Sequence, residues 1–186
     1  MRSIFLTIFT LLLPLAWLIE GKAETVVAET SCDSTAMSRH EQLFHEMHLD
    51  SIVNYTAFEQ AVVGYERIQE KKRPVLTLID FSKPSTEKRL YVFDMNAKKL
   101  LYSSVVAHGK NSGDKYATSF SNKNGSHKSS LGFYLTGNTY QGSNGYSLIL
   151  DGLEKGVNDQ ARRRAIVVHG ADYANPEVAK CGRLGR

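Results

Sequence analysis

The sequence predicts a mainly β domain preceded by a helical segment, α+β overall. Apolar residues recur at helical spacing between residues 40 and 73. After Pro74 the pattern changes to short runs rich in β-branched and aromatic residues, separated by Gly, Asn and Ser, as is typical of antiparallel strands. We therefore expect the helical segment at residues 40–73 and the β domain at residues 74–186.

The first 23 residues have the pattern of a secretory signal peptide. A basic start at Arg2 precedes an apolar run up to Ile19, and small residues surround a cleavage point after Ala23. The alternative is an uncleaved membrane anchor, but Pro14 interrupts the run, which is short for a bilayer span. We expect an exported protein with no stable membrane span after cleavage.

The charge of the exported chain is mild. Cleavage removes Arg2, Glu20 and Lys22, which leaves 21 basic and 18 acidic residues, a net charge of +3. This balance suits an acidic partner such as a cell-wall polymer, but it is too weak and dispersed to favour nucleic acid. The remaining 163 residues are enough for one domain with its own core.

Two cysteines remain after cleavage, and an oxidising compartment raises the question of a disulfide. Cys32 lies in residues 24–39, a polar stretch without periodicity that is typical of a flexible tether. It has little reason to lie near Cys181, so the pairing stays open.

The helical segment is expected to form two helices. The second is capped near Asn54 or Thr56 and stopped by Pro74. We expect it to pack on the β domain through the face that contains Phe58 and Tyr65. The full apolar face is Phe58, Ala61, Val62, Tyr65 and Ile68.

Three histidines, His40, His45 and His48, lie in the first predicted helix near Glu41 and Glu46. They lack the His-Glu-x-x-His spacing of a zinc site, so a solvated polar face is the preferred interpretation. The glycines form no phosphate-binding loop either. We predict no metal and no cofactor.

The β domain is divided by loops of unequal length. Residues 96–99 predict a hairpin turn, and residues 109–130 form a polar run too long for an ordinary hairpin loop. We expect that run to shape a binding site, disorder being the alternative. A short helix is expected at residues 158–164, starting at Asn158 or Asp159. The predicted strands are 75–81, 89–95, 100–109, 131–137, 146–150 and 164–170.

His169 is the candidate catalytic residue. It follows four consecutive apolar residues, 165–168, and precedes Gly170, so it is expected at the end of a buried strand. A structural histidine is the alternative. A base of this kind needs a thiol or hydroxyl partner. Cys181 precedes Gly182, which is typical of a helix end, so Cys181 is expected to be a small apolar helix residue.

Several motifs carry a resemblance to a known family: "RLYVFD", "VVAHGKNSG", "GSHKSSLGFYLTG", "RRRAIVVHGADY" and "GRLGR". Over residues 75–186 the chain resembles the catalytic domain of the L,D-transpeptidases, in particular the murein L,D-transpeptidase catalytic domain subgroup. The resemblance implies a β-sandwich or barrel in the periplasm or cell envelope. It also implies cysteine acyl transfer on peptidoglycan stem peptides during cell-wall remodelling, with His169 matching the catalytic histidine.

In that family the nucleophile lies in a Ser-x-Gly-Cys-Pro motif that directly follows "GRLGR". The printed chain stops before it, so we expect a C-terminally incomplete domain that is inactive as printed. The alternatives are a non-catalytic peptidoglycan-binding remnant and a secreted interaction domain.

The resemblance also implies substrate-binding residues. Gly170 would let a substrate backbone pass, Tyr173 would line the cleft, and Arg183 and Arg186 would contact stem carboxylates. The alternatives are a conformational glycine, a surface tyrosine and arginines that anchor the nucleophile loop. Cross-linking, stem trimming and protein attachment all remain open.

Overall fold

The computed structural model describes residues 37–184, so the predicted signal peptide, Cys32 and Arg186 lie outside the described residues. Within this range no helix is both long enough and apolar enough to cross a bilayer. Two antiparallel three-stranded sheets and a few short helices confirm the mainly β class. The helices are α1 Arg39–Glu46, α2 Tyr55–Arg67 and α3 Pro176–Ala179, and the strands are β1 Val75–Ile79, β2 Leu90–Asp94, β3 Lys99–Ser104, β4 Tyr134–Gly142, β5 Gly145–Gly152 and β6 Val167–His169.

The first sheet has the order β1-β2-β3 and contains the predicted hairpin. Asp94 and Lys99 are paired across β2 and β3, so the connection covers residues 95–98. The Asp94 carboxylate accepts hydrogen bonds from the backbone N–H groups of Asn96 (3.0 Å) and Ala97 (2.8 Å). This side-chain capping holds the turn closed, and the hairpin prediction is confirmed.

The second sheet has the order β4-β5-β6. Sequence analysis placed a loop at residues 138–145, but most of that segment is strand. The β4–β5 ladder continues to the pair Gly142 and Gly145, so the turn contains only two residues. Gly145 has a φ of +79°, a left-handed conformation that costs glycine little.

The two predicted N-terminal helices are present. The hydroxyl of Ser38 accepts a hydrogen bond from the Glu41 N–H and caps α1. The side chain of Asn54 accepts one from the Ala57 N–H (3.1 Å) and caps α2, as one of the two predicted caps.

The predicted end of α2 at Pro74 is wrong, because the helix stops at Arg67. Ile68 already has extended backbone angles. The ammonium of Lys71 folds back and donates to the carbonyl oxygens of Tyr65 (2.6 Å) and Ile68. The last carbonyl groups of a helix have no partners within the helix, and the Lys71 ammonium supplies partners for two carbonyls at this end. The helix can therefore end well before the proline.

Helix α2 packs on the first sheet, and α1 packs on α2. The rings of Phe58 on α2 and Phe93 on β2 meet edge to face, 5.6 Å between centroids, as the predicted apolar face requires. Tyr65 is only half-buried, with Lys71 above its ring. The core cluster contains Phe44, Met47, Leu49, Val53, Phe58, Val62, Tyr91 and Phe93.

Gly64 brings α2 into contact with the chain that leads into the second sheet. It is buried, and a Cβ atom built on it would lie 2.0 Å from Cε1 of Phe133. Phe133 immediately precedes β4. A glycine is therefore needed for this close helix packing.

The predicted helix at residues 158–164 is wrong: residues 155–165 form consecutive hydrogen-bonded turns. Asn158 is fully buried and does not cap a helix. Its Nδ2 donates to the carbonyl oxygens of Leu131 (3.1 Å) and Phe133 (2.9 Å), and its Oδ1 accepts from the Glu154 N–H (2.8 Å). Both the nitrogen and the oxygen of the Asn158 amide are therefore bonded to backbone groups. The bonds to Leu131 and Phe133 hold the chain in place just before β4.

Candidate active site

His169 is the last residue of β6 and pairs with Ser147 of β5. Its side chain is half-buried. Nδ1 lies 2.7 Å from the carbonyl oxygen of Gly170. Since a carbonyl oxygen only accepts, the neutral ring carries its proton on Nδ1, and Nε2 keeps a lone pair. This is the tautomer that a general base requires.

His169 lies on the wall of a cleft of about 410 Å³. The long polar run at residues 109–130 supplies half of the lining residues, while β6 and the segment after it supply His169 and Tyr173. The lining residues are His108, Gly109, Lys110, Asn124, Gly125, His127, Lys128, Asn144, Arg164, Ile166, His169 and Tyr173. The volume is in the range of small-ligand sites.

Arg164 holds part of the long run in place through four hydrogen bonds. Its Nη1 donates to the carbonyl oxygen of Ser121 and to Oγ of Ser130, both at 2.5 Å. Its Nη2 donates to Oγ of Ser126 (3.0 Å) and to the carbonyl oxygen of Lys128 (2.6 Å). One guanidinium thus fixes both ends of a ten-residue segment, and Arg164 is one of the residues that line the cleft.

Gly109 allows the two arms of the long run to approach closely. Its N–H donates to Oγ of Ser129 (2.9 Å). A Cβ atom at this position would lie 2.7 Å from the carbonyl oxygen of His127 and from the Ser129 nitrogen. A side chain here would push the arms apart and change the cleft wall.

His108 lies between this cleft and a smaller neighbouring cavity, and it lines both. It is buried, and its Nε2 lies 3.2 Å from the carbonyl oxygen of Gly113, to which it donates. Burial is the main cause that lowers the pKa of His108 below its usual value, and the nearby Arg89 charge lowers it further. The imidazole is therefore kept neutral.

The smaller cavity marks where residues 183 and 184 run. The N–H of Leu184, which is buried, donates to Oγ of Ser85 (3.1 Å). The guanidinium of Arg183 donates to the Asp114 carboxylate (3.0 Å), and both side chains are exposed. The cavity shares His108, Gly109 and Lys110 with the His169 cleft, so the described C-terminal residues lie beside the candidate site.

A sequence profile of the L,D-transpeptidase catalytic domain matches residues 49–186, which is more than half of the chain. The chain belongs to the L,D-transpeptidase catalytic domain family. No curated protein and no solved structure matches it. The matched region includes α2, whereas the resemblance seen in the sequence began at residue 75. The family match therefore covers part of the helical segment as well as the β domain.

The two cavities contain some of the residues named from the sequence and not others. His169 and Tyr173 line the cleft. Gly170 is exposed, and a Cβ atom built there would meet nothing within 4 Å. Arg183 lies at the smaller cavity in its ion pair, and Arg186 lies outside the described residues.

Cys181 is exposed and lines neither cavity of the L,D-transpeptidase domain. It follows α3, and its N–H donates to the carbonyl oxygen of Val178 (3.0 Å). Gly182 then adopts a φ of +95°, as expected of a glycine just past a helix. The expectation that Cys181 is a small apolar residue on this helix is wrong, because α3 ends at Ala179 and Cys181 lies exposed in the turn that follows.

Sequence reasoning missed the buried contact between Arg89 and His108. The available signal was the pattern "VVAHG" at residues 105–109, an apolar run followed by His and Gly. The same pattern occurs around His169, in "AIVVHG" at residues 165–170. The cleft cations Lys128 and Arg164 were missed as well, because nothing local distinguishes them from solvated basic residues.

The histidines of the N-terminal helices have partners outside the cleft. His40 Nε2 lies 3.4 Å from the Glu66 carboxylate, and His45 contacts Asp50. Between residues 37 and 184, no three His, Cys, Asp or Glu side chains are grouped so that they could hold a metal ion.

Proposed function

We propose that this domain performs cysteine acyl transfer on peptidoglycan stem peptides, with His169 as the general base. The observation that carries the proposal is the hydrogen bond from Nδ1 of His169 to the Gly170 carbonyl, at the edge of a ligand-sized cleft. Membership of the L,D-transpeptidase family supplies the reaction class.

The nucleophile of this proposal is a thiol from the family motif Ser-x-Gly-Cys-Pro, which in the family directly follows "GRLGR". Nε2 of His169 accepts the thiol proton, and the thiolate attacks the carbonyl carbon of the L,D peptide bond. The C–N bond then breaks, D-alanine leaves with the proton from the imidazolium, and a thioester remains. The amine of a second stem attacks the thioester, and the thiol is regenerated.

The course of residues 183 and 184 supports this arrangement. Leu184 is anchored to Ser85 beside a cavity that shares its wall with the His169 cleft. A thiol a few residues farther along would therefore start near the imidazole.

Four residues are proposed to contact the substrate. Gly170 leaves space next to His169, and Tyr173 borders the cleft. Arg183 and Arg186 are proposed to meet stem carboxylates. The Arg183 pair with Asp114 is exposed on both sides, so its exchange for a substrate carboxylate costs little.

We further propose export to the periplasm or cell envelope, with cleavage after Ala23. Mass spectrometry of the mature protein tests this directly: a chain that starts at Glu24 supports it, and one that retains Met1 does not.

The test of the reaction is release of D-alanine from a tetrapeptide stem. The polypeptide of residues 1–186 is expected to release none, because the family thiol is not among these residues. Release that is lost on Cys181→Ala would show that the nucleophile is wrongly assigned. Cys32→Ala is the matched control.

The nucleotide sequence downstream of codon 186 distinguishes the two forms of the proposal. An open frame that encodes Ser-x-Gly-Cys-Pro supports the enzyme, and His169→Gln in that longer protein should abolish D-alanine release. A stop codon supports a peptidoglycan-binding protein without catalysis.

A further inference from the structure

The His169 cleft is lined by cations without a balancing acid. Lys110, Lys128 and Arg164 are among the residues that line it, together with three histidines. The lining contains no Asp or Glu. Asp114 borders the neighbouring smaller cavity, where it is already paired with Arg183.

The three cations also form no ion pair with any described residue between 37 and 184. All hydrogen bonds from the Arg164 guanidinium go to neutral oxygens. The Lys128 ammonium donates to the hydroxyl of Ser119 (2.6 Å). Lys110 is exposed, and its ammonium makes no hydrogen bond within this range. Their charges are therefore not compensated by any carboxylate of residues 37–184.

This is a local property of the cleft and not a general excess of positive charge. Other arginines of the domain face carboxylates: Arg39 pairs with Glu66, and the Nη2 of Arg162 lies 2.6 Å from Asp151. The whole chain carries a formal charge of only +4. Like charges in one confined space repel each other, so their grouping is favourable only when an anion joins them.

We propose that the cleft selects stem peptides that carry free carboxylates, with Lys110 and Lys128 as the residues that determine this preference. The proposal rests on the proposed function and names the substrate class of the same site. The hydrogen bond from an ammonium to a carboxylate joins two opposite charges, whereas a neutral carboxamide offers the ammonium only a dipole. An amidated stem keeps the shape of the substrate but loses this interaction.

Arg164 acts differently from the two lysines. Its guanidinium is committed to the backbone and hydroxyl groups that fold residues 121–130, so it contributes a fixed positive charge and positions Lys128. Changing Arg164 would disturb the cleft wall, which makes it unsuitable for a test of selectivity.

The size of the cleft favours a peptide over a polyanion. Its volume of about 410 Å³ lies at the lower end of the range for small-ligand sites, about 300–1,000 Å³. A phosphate-rich polymer would need an extended basic surface, and the mild net charge does not provide one.

The experiment uses the chain of residues 1–186 and two synthetic tetrapeptide stems that end in D-alanine. One has all its carboxylates free, and the other has them amidated. Calorimetry measures each Kd, and the NMR signals of the His169 ring report whether the peptide occupies the cleft. We expect the free form to bind roughly tenfold more tightly, with the difference shrinking at high salt.

The variants locate the preference. Lys110→Gln and Lys128→Gln should each reduce the ratio of the two Kd values severalfold. Lys123→Gln is the matched control, because Lys123 is exposed on the same long run but does not line the cleft. Lys110→Gln removes no hydrogen bond within residues 37–184, so it remains informative even if Lys128→Gln perturbs the fold.

Each other outcome overturns the proposal. If both stems perturb the His169 signals with equal Kd values, carboxylate selection is wrong, while stem binding stands. If neither stem binds, the proposed function fails together with the selection. If polyphosphate competes with the free-carboxylate stem for the cleft, with a Kd as low as that of the stem itself, the cleft is a general anion site.

Discussion

The guanidinium of Arg89 donates a hydrogen bond from Nη2 to Nδ1 of His108 across 3.0 Å. Arg89 is 0% exposed and His108 is 9% exposed. A guanidinium cannot accept a hydrogen bond, so Nδ1 must be unprotonated and His108 is neutral. This contact joins the chain at the start of β2 to the beginning of the cleft wall. It thereby connects the first sheet to the candidate site.

The stability of the domain should fall on mild acidification because of His108. Burial lowers the pKa of His108 in the fold, the Gly113 carbonyl and Asp114 oppose this shift, and Arg89 adds to it, whereas the unfolded chain takes up a proton near the ordinary pKa of 6.5. The His108 contribution is thus present above pH 6.5 and is lost as the pH falls from there toward the folded pKa.

Thermal unfolding measured between about pH 7 and pH 5 checks this linkage. His108→Gln should flatten the pH dependence, because glutamine does not titrate and its amide can replace both hydrogen bonds. His127→Gln, at an exposed position on the same run, should keep the slope of the original protein. Parallel curves for the original protein and His108→Gln would contradict the prediction.

Arg89→Met should destabilise the fold strongly. Burial lowers the pKa of Arg89 to about 10, so the group is still charged at neutral pH. The guanidinium donates to the carbonyl oxygens of Val106 (2.7 Å) and Lys83 (3.0 Å) as well as to His108. Loss of these donors leaves buried acceptors unpaired, at about 1–3 kcal/mol each.

Arg162→Met is the matched control for this loss. Arg162 is exposed, and its ion pair with Asp151 is screened by solvent, so its removal should lower the free energy of unfolding far less than Arg89→Met does. Urea unfolding of both variants gives the comparison. If both variants lose the same free energy of unfolding, burial is not the reason that Arg89 stabilises the fold.

Gly64→Ala should destabilise the domain although alanine favours helices. The propensity gain is about 1 kcal/mol. The new Cβ atom would meet the Phe133 ring at 2.0 Å, and overpacking of this kind costs about 1–3 kcal/mol or more. We expect a net loss in urea unfolding. A gain in stability would show that Phe133 can move away freely.

Gly170→Ala separates the two roles considered for this glycine. The position has open space for a Cβ atom, so the free energy of unfolding should change by about 0.5 kcal/mol or less. If the substrate backbone passes beside His169, the added methyl group should weaken binding of a tetrapeptide stem severalfold. Calorimetry with the stem is the measurement. Unchanged affinity would remove Gly170 from the proposed substrate contact.

Helices and strands with strong local periodicity were predictable. The face of α2 around Phe58, the cap at Asn54 and the hairpin before Lys99 follow from short-range patterns that the structure confirms. The helix expected at residues 158–164 failed because Asn158 bonds to Leu131 and Phe133 instead of capping. A tertiary contact of that kind leaves no trace in local propensity.

The sequence by itself determined the mainly β class, the family and the position of His169 at a strand end, because apolar runs and motifs are local or nearly so. Only the tertiary structure decided that Lys110, Lys128 and Arg164 share one cleft with His169. It also decided that Arg89 and His108 meet in the interior. Such groupings depend on how segments distant in the sequence pack together. The local charge and the burial of these side chains therefore arise only in the folded domain.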